Sequence, residues 1–153
     1  MGVFSFFYPR LLEGARAPSC ESYEKILFLG DVVGVAGCSK LTRNLLSEIR
    51  SKNIDFVIVN GENAAGGFGI TEDICEKLFS SGVDCITTGN HVWDQRELLK
   101  YIDNENRLLR PINFPNETPG KGLNIYNNQF GRILVVNVMG RLFMESLDDP
   151  FSA

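Results

Sequence analysis

At 153 residues, 44% hydrophobic and 22% charged, the chain has the size and composition of one globular domain with a core of its own, and disorder throughout is excluded. A net charge of -4 and a pI near 5.0 argue against a large nucleic-acid surface, because such a surface concentrates Lys and Arg to displace counterions. Any phosphate it handles is therefore small and met locally.

Residues 1–24 read as a variable leader. The apolar patch Val3-Phe4-Ser5-Phe6-Phe7-Tyr8 is broken by Pro9 and is too short to span a bilayer. Nothing basic precedes Phe4, as a secretory signal would require. Cys20, Cys38, Cys75 and Cys85 show neither CxxC nor zinc-ribbon spacing, and two of them fall inside apolar patterns where buried thiols are common. A reduced, cytoplasmic location without membrane contact fits this usage.

From Lys25 the pattern is regular. Lys25 to Leu29 is an apolar strand, and Ser39 to Ser51 is a helix with Leu41, Leu45, Leu46 and Ile49 on one stripe. A second strand runs from Asp55 to Val59. Thr71 then caps a helix carrying Ile74, Leu78 and Phe79, which Gly82 is placed to end. The third strand is Asp84 to Thr88, and a helix from about Asp94 to Asp103 follows. Strand and helix alternating at this spacing predict an α/β fold with a mostly parallel sheet and right-handed crossover helices.

The last third changes character. Arg110 to Gly122 is rich in Pro, Asn and Gly and reads as an ordered loop. Leu123 to Tyr126 and Arg132 to Val138 then form an antiparallel hairpin through Asn127-Asn128-Gln129, expected as an edge on the parallel sheet.

Three strands end in polar segments: Gly30-Asp31, Gly61-Glu62-Asn63 and Gly89-Asn90-His91. The ligand crevice of an open α/β sheet lies outside the carboxyl ends of its strands, so these side chains face a common volume. Hard oxygen donors and one imidazole there suggest divalent-metal and phosphate chemistry. Taken singly each is weak, since Asp31 could cap a turn and a lone His at a strand end is more often structural. Trp93 and the phenylalanines read most simply as core or loop packing.

In order along the chain, GDVVG, NGENAAGGFGIT, TTGNHVWD, LLRPINFP, TPGKG and GRLFMESLDDPF occur from residue 30 onward. Residues 25–153 thereby resemble the N-terminal half of the YmdB-type branch of the calcineurin-like metallophosphoesterases, bacterial enzymes that open 2',3'-cyclic nucleotides. The Glu of GEN, where ordinary relatives carry Asp, points to this branch in particular. Cys38 stands where the branch usually has Arg.

The resemblance implies a metallophosphoesterase half-fold and two divalent cations, of iron, manganese, magnesium or zinc. Asp31 would be a terminal ligand, Glu62 a bridging one and Asn90 an amide ligand, with Asn63 adding a ligand or orienting the phosphate. His91 would be the catalytic acid beside the leaving oxygen, a role open to an imidazole titrating near neutrality. Asp94 is placed to orient it. The substrate implied is a small nucleotide phosphodiester.

The family's later histidines have no counterpart in a chain whose single histidine is His91. The expectation is a truncated or split enzyme half with little turnover, with one sheet face and an edge uncovered. Its partner would be a polypeptide carrying the C-terminal half, or a second copy. The alternative is a non-catalytic remnant that binds nucleotide or protein. Another kind of nucleotide-binding domain ranks last, since the first strand-to-helix turn lacks G-x-G-x-x-G and no P-loop is present.

Overall fold

The computed structural model describes residues 24–144 and 147–153. The leader expected over 1–24 lies outside them except for Glu24. Strands β1 (Ile26–Leu29), β2 (Phe56–Asn60), β3 (Cys85–Thr87) and β4 (Leu108–Leu109) form one parallel sheet in sequence order. β4 was not expected, because two residues are too few to show a period.

The apolar runs of the inner strands serve two faces at once. Val57 and Val59 of β2, Ile86 of β3 and Leu108 of β4 pack in one buried cluster with the helices α1 (Gly34–Lys52), α2 (Glu72–Ser80) and α3 (Leu98–Ile102), through Leu45, Leu78 and Ile102. Phe56, Ile58, Cys85 and Leu109 face the other way, onto Ile133 and Val135 of a hairpin. Period-two alternation sends successive side chains to opposite faces, so strands covered on both sides read as unbroken apolar runs.

That hairpin, β5 (Leu123–Asn128) with β6 (Gly131–Val136), is a separate two-stranded antiparallel sheet. It stacks on the parallel sheet instead of extending its edge. Tyr126 meets Phe56 edge-to-face at 4.9 Å. The expected uncovered face is therefore covered over β2 to β4, while Phe28 of β1 stays exposed. The turn falls at Gln129-Phe130 instead of spanning Asn127-Asn128-Gln129, because Asn128 Oδ1 accepts the N–H groups of Phe130 and Gly131.

The helices also differ at their starts. α1 begins at Gly34, five residues before the expected start at Ser39, with the Gly34 N–H donating to Asn63 O at 3.0 Å in place of a side-chain cap. α2 starts as expected, Thr71 Oγ1 accepting the Ile74 N–H. The helix expected from Asp94 is instead a 3₁₀ turn over Asn90–Trp93, a further turn, and the short α3, which buries Leu98 and Ile102 one turn apart.

The 110–122 loop is ordered, as expected, around Arg110. Its buried guanidinium donates to the carbonyls of Pro111 and Pro119. Buried Asn137 joins the layers, Nδ2 donating to Thr88 O at 2.9 Å and Leu109 O at 3.0 Å. Asn137→Ala is expected to cost about 2 kcal/mol, read as a lower urea midpoint with unchanged slope. Cys75 and Cys85 are buried free thiols. Among the described residues no helix is long and apolar enough to cross a membrane.

Candidate metal and phosphate site

Because β1, β2 and β3 are parallel neighbours, Asp31, Glu62-Asn63 and Asn90-His91 all leave the sheet at one edge. Backbone bonds set their register there. The Val32 N–H donates to Asn60 O at 3.1 Å and the Gly61 N–H to Thr87 O at 2.9 Å. Asp31 adopts a left-handed conformation with φ 49, uncommon for a residue with a side chain and typical of functional turns. Asn63 Nδ2 donates to Asp31 Oδ1 at 2.7 Å, so this amide fixes the Asp31 carboxylate.

Glu62 is buried and lies against Gly89. A Cβ at Gly89 would fall 1.5 Å from Glu62 Oε2, so only glycine leaves room for the carboxylate. Burial raises the Glu62 pKa and the Asp31 charge pushes it the same way, while His91 opposes both. A cation would remove the penalty that burial places on the ionised form.

Asn90 Oδ1 is buried with no hydrogen-bond partner among the described residues. An unsatisfied buried acceptor is costly, and a hard cation is one group that satisfies it. Among the described residues no three His, Cys, Asp or Glu side chains group closely enough to hold a metal by themselves. A cation at this edge would therefore need amide oxygen beside the Asp31 and Glu62 carboxylates, and Asn90 Oδ1 is a hard donor of that kind.

His91 Nδ1 lies 2.7 Å from Asp94 Oδ2. A carboxylate only accepts, so the Nδ1–H donates and Nε2 is the ring nitrogen left open to a further partner. The Phe68 ring meets the imidazole edge-to-face at 5.1 Å. Its own loop is tied down by Gln95 Nε2, which donates to Phe68 O at 2.8 Å. Gly69, at φ +74, admits the close approach of this loop to His91 O.

All five residues singled out from the sequence thus stand at one edge, with Asn63 engaged on Asp31 and Asp94 on His91. Reading the aromatics as core or loop packing holds for Trp93, which meets Phe114 edge-to-face, holds in part for Phe68, 59% exposed but against His91, and fails for Phe143 and Phe151, which are 94% and 97% exposed. The sequence signal for Phe68 was its place between Gly67 and Gly69, where a bulky ring has little to pack against.

A family model described as YmdB-like protein matches residues 27–153. A Bacillus subtilis (strain 168) protein named 2',3'-cyclic-nucleotide 2'-phosphodiesterase is 45% identical over 128 residues, which is 83% of this chain and 48% of that protein. The crystal structure of a hypothetical protein from Thermus thermophilus superposes with a TM-score of 0.76 at 41% identity, covering 83% of this chain and 49% of that one. That of a novel phosphatase from Mycoplasma pneumoniae gives 0.76 at 33% identity, covering 84% and 48%. The chain spans about half the length of each of these relatives.

Proposed function

We propose that this chain, which belongs to the YmdB-like family, supplies the metal-holding edge and the proton donor of a phosphodiesterase acting on 2',3'-cyclic nucleotides. The reading rests on one observation above the others: Asp31, Glu62, Asn63, Asn90 and His91 share a sheet edge at which Asn90 Oδ1 lacks a partner among the described residues. The name of the Bacillus subtilis relative supports the choice of substrate.

Asp31 and Glu62 would hold cations through their carboxylates and Asn90 through its amide oxygen, while Asn63 keeps Asp31 oriented. Two divalent ions there, of iron, manganese, magnesium or zinc, would polarise the phosphoryl oxygens and activate water. Water would add to phosphorus and release a proton to solvent as the bond to the 2' oxygen breaks, and the His91 imidazolium would give its Nε2 proton to that oxygen. Asp94 holds the imidazole for the transfer. With one histidine among its 153 residues, the chain alone binds cations weakly and turns over slowly. A polypeptide bringing further imidazoles, or a second copy of the chain, is the partner that would speed it. Buried free thiols favour the cytoplasm as its compartment.

The test is manganese-dependent hydrolysis of 2',3'-cyclic AMP beside bis-p-nitrophenyl phosphate. His91→Ala is expected to slow the cyclic nucleotide by about 10²–10⁴-fold. The nitrophenyl ester should lose far less, because its leaving group departs without a proton. Equal losses on both substrates would remove His91 from the acid role. Nucleotide binding that needs no metal and survives Asp31→Ala and Glu62→Ala would move the reading to a non-catalytic binding module.

A further inference from the structure

A cavity of about 340 Å3 opens beside His91. One side carries the polar groups already described, Asn90, His91 and Asp94; the rest is formed by Phe68, Phe114, Met139, Phe143 and Met144. Three aromatic rings and two thioethers beside these polar groups make a mixed, polarizable lining suited to a flat heterocycle. The volume is at the small end of ligand sites, which run from about 300 to 1,000 Å3.

Buried Asn113 holds the Met139 wall. Its Nδ2 donates to Met139 O at 2.9 Å and Asp148 O at 3.2 Å, while its Oδ1 accepts the Met139 N–H. One side chain thus bonds the backbone at Met139 and at Asp148. Phe143 lines the cavity, sits in the left-handed region at φ 60 and is 94% exposed. An aromatic residue held there opposes both backbone preference and the hydrophobic effect, a cost that a ring kept for a ligand explains.

We propose that this cavity receives the nucleobase of the substrate, with Phe68 and Phe143 as its stacking faces. The inference rests on the phosphodiesterase reading. An acid must stand beside the leaving oxygen, and that oxygen belongs to the ribose, so the sugar and its base lie on the His91 side of the phosphate. On that side the chain presents aromatic rings. Stacking on them recognises a base without selecting its identity, since every base has a π-face.

The experiment measures binding to the full chain with manganese present, by calorimetry, of adenosine 3'-monophosphate and of methyl phosphate, which carries no base. The nucleotide is expected to bind at least about tenfold more tightly, and Phe68→Ala or Phe143→Ala to narrow that margin about tenfold. Phe143→Trp is expected to preserve it. Both rings are exposed, so neither truncation empties the core. Equal affinity for the two ligands, or a margin the truncations leave unchanged, overturns the base site while manganese-dependent phosphate binding still stands. Failure of both ligands to bind would sink the phosphodiesterase reading itself, and this inference with it.

Discussion

Glu62→Gln is expected to make the metal-free chain more stable above mildly acidic pH and to abolish the stabilisation that manganese brings. The carboxylate is buried against Gly89, and burial together with the Asp31 charge raises its pKa against the opposing charge of His91. A carboxyl whose folded pKa lies above its unfolded value binds its proton more tightly in the native state. Its contribution is fully present below the ordinary value of 4.5 and is lost as pH rises through the raised native value. At neutral pH the ionised group therefore works against the metal-free fold. Glutamine keeps the shape and removes the charge, so the variant lacks that decline.

Manganese reverses the balance in the wild type by placing positive charge where the buried carboxylate lacks compensation. At a concentration about a hundredfold above its dissociation constant, a ligand bound only by the native state stabilises by about 2.7 kcal/mol. For a chain of this length that is a rise of about 5–10 °C in melting temperature. Thermal melts from pH 4 to 8, with chelator or with manganese, read both effects. A manganese shift of equal size in Glu62→Gln would take Glu62 out of the metal site.

How far the sequence discloses this site depends on the scale of the signal. The ends of β1, β2 and β3 were legible because each is an unbroken apolar run stopped by Gly and a polar residue, and parallel pairing then brings Asp31, Glu62 and Asn90 to one edge. β4 was illegible, since Leu108-Leu109 pairs with Ile86-Thr87 only once β3 is in place. The hairpin was legible as a hairpin but not as a separate layer. Leu123 and Ile125 face outward and are as apolar as Ile133 and Val135, which face inward, so its pattern does not reveal the buried side. The spacing of His91 and Asp94 permitted their contact, but the 3₁₀ turn that makes it is set by packing. The Asn113 bonds to Met139 and Asp148 span 26 and 35 positions, a relation no local pattern encodes.

Gly89→Ala is expected to destroy the site and spare the fold. The added methyl would fall 1.5 Å from Glu62 Oε2 and 2.7 Å from its Cδ, distances no pair of non-bonded atoms sustains. What must move is the far end of a side chain, which has other rotamers available. The carboxylate swings away and the strands stay paired. Gly122 gives the opposite case, because a Cβ there would meet Ile112 Cα at 2.3 Å, and backbone cannot rotate aside. Gly122→Ala should therefore lower the melting temperature of the metal-free chain by more than a few degrees. Gly89→Ala should leave it within a few degrees of wild type while erasing the manganese shift and reducing manganese-dependent hydrolysis to background. Melts with chelator and with manganese separate the two variants. A Gly89→Ala chain that kept its full manganese shift would show that Glu62 need not lie where Gly89 now admits it, and the geometric case for its metal role would fail.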